Sequence, residues 1–525
     1  MNEANTPTPT PPSPQNKAGI HRRLVQGIAG KTFGTIINFG EQILLVPLFL
    51  AFWTPAQYGD WLVLLSTAGF IAILDFGMRT YFGNSLQSAL SRGETEKFLL
   101  LLRYGTFLYT ILIAVGSVIA LTLSYSVDWP TLLNLKTLTT LSSTHVLALL
   151  SAFFLLTLPF GFISSIYRAY GEFVISVMVS NLMRIGLLTA IATMLVLGAS
   201  ITSLALVYAV VAGVTWALVV IHQKRRYLDL KFGISIPDKA AFKETLSIGL
   251  AYAIVPIATA LSIHGTILLI SSIASSGATI AAYNTIRTLT GFAKYVSDQF
   301  LQVFGVEGAR QYAQQDWEAL ARLYNFITRI AGCSCGTLGG FIAVIGPPFF
   351  SFWTVGKITF SEAVFWPLLG ATVFASPSLA GAAVLSFINK PKGMVTAHIS
   401  GGLAVIGLCL VLIPLFGASG AAWAVFITEI CLLSIIVPIH AAKVIKEKPF
   451  RKILQGQFFA VITFCVSAAI ATLALQLSGG PDLVAILTAS VFWVIAITVP
   501  LYFLAFGPSE RAWINGKISG LISRQ

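Results

Sequence analysis

A chain of 525 residues with 56% hydrophobic and only 10% charged residues has too little polar surface to dissolve as a globular protein, because soluble domains usually carry about 25% charged residues. The composition excludes a soluble enzyme and predicts an all-α integral membrane protein. The formal net charge of +13 does not indicate nucleic-acid binding, since the basic residues occur in small clusters between apolar segments and no soluble domain presents them.

Residues 1–19 are rich in proline and threonine and predict a disordered cytoplasmic tail. After this tail, each crossing of the bilayer needs about 20 predominantly apolar residues. On that measure the sequence predicts about 14 transmembrane helices, at 28–52, 60–81, 99–124, 144–167, 173–197, 201–222, 246–271, 278–303, 324–347, 361–386, 395–416, 420–441, 456–477 and 484–506.

Lysine and arginine fall almost entirely in loops on one side of this topology. If the N-terminus is cytoplasmic, the cytoplasmic loops receive clusters such as Lys224-Arg225-Arg226, whereas the opposite side receives only Lys136 and Lys357. Basic loops are retained on the cytoplasmic side of a membrane. We therefore expect both termini to be cytoplasmic.

The first twelve predicted helices contain an internal repeat. Short matches recur in the same order at an offset of 222 residues, or 219 for the last of them. The matching pairs are Gly69-Phe70 with Gly291-Phe292, 92–106 with 314–328, Gly171 with Gly393, and Gly198-Ala199-Ser200 with Gly417-Ala418-Ser419. Each copy holds six helices, an even number, so we expect two bundles related by an axis along the membrane normal, with a cavity where the bundles meet.

The repeat divides the chain into six segments. Two additional transmembrane helices follow the bundles, and the last residues have the apolar spacing of an amphipathic helix on the cytoplasmic surface. The segments are the tail 1–19, the N-terminal six-helix bundle 20–222, a basic cytoplasmic linker 223–245, the C-terminal six-helix bundle 246–442, the additional helices 443–506 and the tail helix 507–525.

The five cysteines all lie in apolar segments, and their spacing forms no zinc motif. We interpret them as small buried hydrophobic residues. The sequence also contains no nucleotide-binding loop and no nucleophile–base set, so it predicts no metal, no cofactor and no covalent chemistry.

Three segments resemble a known superfamily: GKTFGTIINFGEQILLVPLFL at 30–50, YGDWLVLLSTAGFIAILDFGMRTYFGN at 58–84, and LIPLFGASGAAWA at 412–424. They are similar to the multidrug/oligosaccharidyl-lipid/polysaccharide (MOP) exporters, and within them to Wzx-type oligosaccharide flippases. The resemblance implies a transporter of the bacterial inner membrane that moves a polyprenyl-(pyro)phosphate-linked glycan, such as an O-antigen unit, to the outer leaflet. It also implies membrane lipids and glycan-assembly proteins as partners, and a cavity lined by cations.

Residues 281–300 are apolar enough to cross a bilayer but contain Arg287 and Lys294. With a rise of 1.5 Å per residue, Arg287 lies ~14 Å and Lys294 ~24 Å from the outer end of their helix, and Arg184 lies ~18 Å from the inner end of another. Ionisable groups at such depth usually face a protein interior or a watery cavity. Because arginine donates paired hydrogen bonds to phosphate, these cations are the candidate substrate-binding residues. The alternatives are a structural ion pair at Arg287 and an i,i+4 pair between Lys294 and Asp298.

Five further ionisable residues lie within predicted helices. Glu41 and Glu429 could pair with the arginines, or together with His264 could take part in ion coupling, because their protonation would respond to burial and to cationic neighbours. A static hydrogen bond is the alternative at each. Asp75 and Arg79 stand four residues apart at the inner end of a helix, which predicts an interfacial ion pair.

Two other functions remain open at this stage. A cation-coupled multidrug antiporter would need acidic residues to dominate the cavity, whereas this sequence has deep arginines as well. A membrane-embedded glycan polymerase or transferase would need a long catalytic loop, and the longest predicted loops, around 125–143 and 223–245, contain no paired carboxylates.

Overall fold

The computed structural model describes residues 40–508, apart from 228–229, 231–232, 275, 389, 391 and 481, together with residues 34, 37, 38 and 511. All regular structure in this part of the chain is helical, as a backbone that crosses a membrane requires. In chain order the helices are α1 (Gly40–Phe52), α2 (Pro55–Gly69), α3 (Met78–Ser91), α4 (Thr95–Ser126), α5 (Trp129–Leu132), α6 (Thr140–Ala169), α7 (Phe173–Val196), α8 (Ile201–Arg226), α9 (Lys239–Ala260), α10 (Thr266–Ala274), α11 (Gly277–Leu301), α12 (Gly305–Ala313), α13 (Trp317–Trp353), α14 (Glu362–Val373), α15 (Ser376–Phe387), α16 (Lys392–Phe416), α17 (Ala418–Thr428), α18 (Ser434–Ile445), α19 (Pro449–Leu477) and α20 (Leu483–Ala505). The all-α membrane fold is confirmed.

Eleven helices in the described part are long and apolar enough to cross a membrane, or twelve if the bent pair α14–α15 counts as one span. The bend between α14 and α15 is 43°. Three of the predicted spans are not among the eleven: 28–52, 278–303 and 361–386. The span 361–386 is the bent pair, and α1 is the main described part of 28–52. The span 278–303 corresponds to α11, whose interior holds three charged residues: Arg287, Lys294 and Asp298.

The internal repeat is visible in where the helices begin. Helices α2, α4 and α6 begin at Pro55, Thr95 and Thr140, and α11, α13 and α14 each begin 222 residues later. The turn before α4 has Gly93 in the left-handed region (φ 75°), and the equivalent turn before α13 has Gln315 there (φ 56°). The two halves of the chain are therefore built from the same sequence of turns and helices.

The glycine matches from the sequence differ in outcome. Gly198 and Gly417 both have positive φ, 70° and 60°, at the turns before α8 and α17. Gly171 also has positive φ, 79°, but Gly393 lies inside α16, where a Cβ would come within 2.3 Å of the His440 Cβ. This glycine is needed for close packing and not for a turn, so the Gly171–Gly393 match does not reflect a shared conformation.

The ends of the predicted segments differ from the structure in two places. The linker expected at 223–245 is shorter, because α8 continues to Arg226 and α9 begins at Lys239. Asp238 caps α9 by accepting a hydrogen bond from the Ala241 amide at 2.6 Å, which fixes its start. The tail 1–19 lies outside the described residues, as does the tail helix 507–525 apart from 507, 508 and 511.

The alternating direction of the spans places the turns at 92–94, 170–172, 314–316 and 446–448, the end of α8 at Arg226 and the start of α9 at Lys239 on one side, which we call the basic face. On the opposite face the two halves of the chain touch. A Cβ added to Gly59 of α2 would lie 1.8 Å from the Gly277 carbonyl oxygen of α11, and one added to Gly277 would lie 2.4 Å from that of Ala56. The Trp353 indole also donates to the Ile43 carbonyl at 2.7 Å. The halves are closed at this face by a backbone-to-backbone contact that only small residues permit.

The additional helices are fastened to the second half. Gly332, Gly336 and Gly340 of α13 stand four residues apart and face α19. A Cβ at these positions would come within 2.7, 2.1 and 2.4 Å of the carbonyl oxygens of Gly456, Ala460 and Phe464, respectively. Small residues at this spacing let two membrane helices approach closely. The same stretch contains Cys333 and Cys335, which are buried as expected, whereas Cys431 and Cys465 are exposed on the helix surface.

The contact between α2 and α11 predicts a large effect of a single methyl group. We expect Gly59→Ala to destabilise the protein by about 1–3 kcal/mol, because the added Cβ overlaps backbone that cannot turn away. Thermal unfolding of the purified protein in detergent measures this. Gly407→Ala is the control, since a Cβ there meets nothing within 4 Å, and equal stability of the two variants would contradict the tight contact.

A polar cluster ties the α6–α7 turn to the end of α8 at the basic face. Glu172 accepts hydrogen bonds from Arg226 at 2.5 and 2.9 Å and from the Tyr227 hydroxyl at 2.5 Å. These bonds, chiefly those from Arg226, hold the pKa of Glu172 below its usual value of 4.5. A carboxyl group with a lowered pKa stabilises the fold at neutral pH, and this contribution is lost as the pH falls through the folded-state pKa.

We therefore expect Glu172→Gln to lower the unfolding temperature at pH 7, and the difference from the wild type to vanish below about pH 4. Unfolding temperatures measured between pH 3 and 8 check this. Glu244→Gln, at an exposed position of α9, is the control. A difference that grows as the pH falls would refute the assignment.

Candidate functional site

A first cavity of about 480 Å³ lies between the two halves. Its walls come from α1, the segment from Ala72 to Thr80, α6 and α7 of the first half, and from α9 of the second half. Four charged side chains line this cavity: Glu41, Asp75, Arg79 and Arg184. Two are acidic and two are basic, so the formal charges in this cavity balance.

Arg184 on α7 is paired across the cavity with α1. Its guanidinium donates hydrogen bonds to the Asn38 side-chain oxygen and to Glu41 at 3.1 Å. The Arg184 side chain keeps 44% of its surface exposed, against 17% for Glu41. Asn38 in turn donates to the Tyr295 hydroxyl of α11 at 3.0 Å, which links the first half to the second. Arg184 therefore has a carboxylate partner and still presents donors to the cavity.

Asp75 and Arg79 do not form the predicted ion pair between their side chains. Phe76 and Gly77 stand between them in the left-handed region, with φ values of 43° and 69°, so the helix is interrupted and the i,i+4 geometry is lost. Asp75 instead accepts from the Tyr109 hydroxyl at 2.7 Å and from the backbone amide of Arg79 at 3.4 Å. The Arg79 guanidinium is left to the cavity.

A second cavity of about 390 Å³ lies within the second half, among α9, α11, α14, α16 and α17. The sequence predicts a cavity where the halves meet, and the first cavity lies there; the sequence does not indicate the second. Helix α9 lines both cavities, with Pro256 at the first and Thr259 at the second. The charged residues lining the second cavity are Arg287, Lys294 and Glu429. Two cations and one anion give this cavity a surplus positive charge.

Arg287 supplies that surplus. Its guanidinium donates to the Ile263 carbonyl at 3.3 Å, and no carboxylate of the described residues lies within ion-pair distance of it. Ile263 belongs to the π-helical turn Leu261–Gly265, a type of turn that often occurs at functional sites. The structural ion pair considered as an alternative for Arg287 is therefore not present among the described residues.

Lys294 pairs with Glu429 and not with Asp298. The Lys294 ammonium lies 2.7 Å from the Glu429 carboxylate, which also accepts from the Ser378 hydroxyl at 2.6 Å. Asp298 instead lies 3.4 Å from the side-chain amide of Gln302. The distance in sequence between Lys294 and Glu429, 135 residues, explains why a search for neighbours on one helix missed this pair.

Two histidines accompany these charges. His264 packs against the first half, where its ring lies 2.9 Å from a Cβ added to Gly69 and 5.9 Å from the Phe70 ring centroid. Its Nδ1 is buried and has no hydrogen-bond partner among the described residues. His398 on α16 lines the second cavity together with Lys294 and Glu429. Sequence reasoning overlooked His398, although a histidine within an apolar span was the same signal that identified His264.

The Lys294–Glu429 pair predicts a specific pattern in a double-mutant cycle. Lys294→Met should destabilise the protein by about 2–3 kcal/mol, because it leaves the Glu429 carboxylate without its cation. The loss should be smaller than for a fully buried pair, since the Lys294 side chain is partly exposed. Adding Glu429→Gln should restore most of the loss. Thermal unfolding in detergent measures all four proteins, and additive losses would contradict the pairing.

Solved structures that share this fold are transporters. The chain superimposes on lipid II flippase MurJ in an inward closed conformation with a TM-score of 0.66 at 13% identity, covering 91% of this chain and 99% of that one. An inward-facing MATE family multidrug transporter of the MOP superfamily gives a TM-score of 0.63 at 13% identity, covering 83% and 96%. An outward-facing MATE transporter gives a TM-score of 0.54 at 14% identity, covering 84% and 96%.

No family model matches the sequence, and no curated protein matches it. The likeness is therefore one of fold, over nearly the whole length of both chains. The TM-score is higher for the inward-facing MATE structure than for the outward-facing one. This agrees with the contact between α2 and α11, which closes the opposite face. The chain is a multi-pass membrane protein with the transporter fold found in the MOP superfamily.

Proposed function

We propose that the protein is a flippase that moves a polyprenyl-(pyro)phosphate-linked oligosaccharide from the cytoplasmic to the outer leaflet of a bacterial inner membrane, for surface polysaccharide assembly. The observation that carries this proposal is Arg287, a cation at membrane depth that lines a cavity and has no carboxylate partner among the described residues. A buried charge is costly unless it is compensated. An anionic headgroup would compensate it.

The chemistry of the cavities fits such a headgroup. A diphosphate is strongly anionic, and guanidinium groups bind phosphate oxygens with paired, charge-assisted hydrogen bonds. Arg287 and Lys294 line the second cavity and Arg184 the first. In this proposal these cations hold the phosphate, the glycan occupies the hydrated space beside them, and the lipid tail stays in the bilayer.

Transport would proceed by alternating access. The halves touch at the opposite face through Gly59 and Gly277, so substrate would enter from the basic face, which we assign to the cytoplasm together with both termini. Separation of α2 from α11 would then open the other side. The similarity in fold to the lipid II flippase MurJ supports this sequence of events.

The protein can act without covalent chemistry or a cofactor, since moving a headgroup requires only binding and a conformational change. Glu41, Glu429 and His264 are the residues that could couple such a change to an ion gradient. The proposed partners are the lipid-linked glycan, the surrounding membrane lipids and the proteins that assemble the glycan.

Arg287→Ala should abolish transport while the protein still inserts normally, because the variant removes the cation of the second cavity that has no carboxylate partner among the described residues. The amount of surface polysaccharide is measured in cells that lack the chromosomal copy and express the variant. Immunoblots of the membranes check that the variant is present. The matched control is Arg322→Ala, an arginine on α13 whose side chain is 71% exposed, which should leave transport unchanged. Full transport by a variant neutral at both Arg287 and Arg184 would contradict the proposal.

A multidrug antiporter is the second candidate. The similarity in fold to a MATE transporter favours it. The carboxylates Glu41 and Glu429 also favour it, because each could release a proton when a cationic drug binds. Both carboxylates are already paired with cations, however, and the second cavity has a positive surplus that would repel a cationic substrate. Dye sensitivity of cells lacking the protein, with intact surface glycans, would favour the antiporter.

A further inference from the structure

A third cavity, of about 300 Å³, lies in the first half close to the basic face. Its lining includes two arginines, Arg79 and Arg168, and the hydroxyl groups of Ser164, Ser176 and Ser180. No acidic residue is among the side chains that line it. We call it the Arg79–Arg168 pocket.

The two arginines come from different helices and converge. Arg79 lies in the first turn of α3, and Arg168 lies in the last turn of α6. Both side chains line the same cavity, and each lies against a glycine of the helix that carries the other. No carboxylate of the described residues lies within ion-pair distance of either one, and Asp75 is engaged by Tyr109 and the Arg79 backbone amide.

Glycines give the arginines room to enter the pocket. The Arg79 side chain crosses Gly161 of α6 so closely that a Cβ there would lie 1.8 Å from the Arg79 Cδ. A Cβ on Gly83 of α3 would lie 3.1 Å from the Arg168 Nη2. Each arginine therefore lies against the backbone of the other's helix, at a position where a larger residue would displace it.

Other donors surround the same space. The Ser164 and Ser176 hydroxyls share one hydrogen bond of 2.9 Å, which leaves one of the two hydroxyl hydrogens to donate elsewhere. The first turn of α3 has no side-chain cap from Gly77, and the amino end of a helix carries partial positive charge. Asp75 accepts from the Arg79 backbone amide at this helix end, but the Arg79 guanidinium adds a full positive charge that no carboxylate of the described residues pairs with, and an anion would compensate it.

The pocket is continuous with the first cavity. Arg79, Thr80, Phe160 and Ser180 line both spaces. A path of basic side chains therefore leads from Arg168 near the basic face, through Arg79, to Arg184 at membrane depth. Arg168 and Arg79 share one cavity, and Arg79 and Arg184 share the next, which would let an anionic group pass inward in steps.

We propose that Arg79 and Arg168 form a loading site for a phosphate or diphosphate lipid headgroup, from which the headgroup passes to the deeper arginines. The direction of transfer rests on the proposed flippase function, whereas the anion site itself does not. The ligand chemistry is the phosphate group, and it has two sources: the diphosphate of a polyprenyl carrier or the phosphate of a bilayer phospholipid. The function makes the carrier diphosphate the expected ligand.

The test is binding of radiolabelled geranylgeranyl diphosphate to the full-length protein in neutral detergent. Measurements use an R287Q background, which removes the surplus cation of the second cavity. We expect inorganic pyrophosphate to compete, and uncharged geranylgeraniol not to compete. R79Q/R168Q should weaken binding roughly tenfold or more, because each lost charge-assisted hydrogen bond is worth about that factor. R79K/R168K should fall between the two, since lysine keeps the charge but loses the paired donors.

Two controls separate a binding role from a structural one. R92Q removes an arginine at the end of α3 outside the pocket and should bind like the background protein. Gly161→Ala keeps every charge but displaces the Arg79 side chain, and should weaken binding as well. Unfolding temperatures show that each variant is folded. Unchanged affinity of folded R79Q/R168Q for geranylgeranyl diphosphate would overturn the site. If phosphatidylglycerol competes as well as inorganic pyrophosphate does, the role of the site in loading the carrier is overturned.

The outcomes also separate this site from the proposed function. If R79Q/R168Q loses binding while Arg287→Ala still transports, the loading site stands and the proposed role of Arg287 fails. If Arg287→Ala blocks transport while R79Q/R168Q binds normally, the loading site alone fails.

Discussion

The interior of this protein is organised by the cost of holding a charge at membrane depth, where water is scarce and every ion needs compensation. The deep carboxylates of the first and second cavities are matched locally: Glu41 by Arg184, and Glu429 by Lys294 and Ser378. Arg287 breaks this pattern, because a peptide carbonyl is its only hydrogen-bond acceptor in the described part of the chain. What remains after local pairing in the second cavity is positive, and the proposed anionic cargo would compensate this remainder.

Small residues determine which parts of the scaffold can move together. Three glycines in succession join α13 to α19 along their length, so the additional helices belong mechanically to the second half. The halves themselves meet at the opposite face mainly through the amino ends of α2 and α11, which occupy equivalent positions in the repeat. The long seam favours motion of the second half and the additional helices as one body. The halves also pack closely elsewhere, since a Cβ on Gly249 of α9 would lie 2.8 Å from the Phe76 carbonyl oxygen.

Much of this fold follows from the sequence because hydropathy and repeat spacing are local properties. The spans, the doubled bundle and the clustering of basic loops need only the composition of successive segments and a constant offset. The turn preceding α4 and its counterpart preceding α13 show how well the offset carries over, with Gly93 and Gln315 both left-handed.

The candidate site could be predicted only in part, because its geometry depends on contacts distant in sequence. Arg184, Arg287 and Lys294 stand out as cations in apolar spans, but their partners lie at least 24 residues away in the chain. The expected Asp75–Arg79 pair was wrong since a left-handed turn at Phe76 and Gly77 has no strong signature when the first of the two is aromatic. Nothing in the residue pattern indicates that α9 divides the interior into two cavities.

That dividing position of α9 has a mechanical consequence. One face of the helix borders the space shared by the halves, and its continuation through the π-helical turn borders the space inside the second half. A tilt of this continuous helical segment would therefore enlarge one cavity and shrink the other. The Ile263 carbonyl that accepts from Arg287 belongs to the same segment. The position of the Arg287 guanidinium would therefore change together with the volumes of the two cavities.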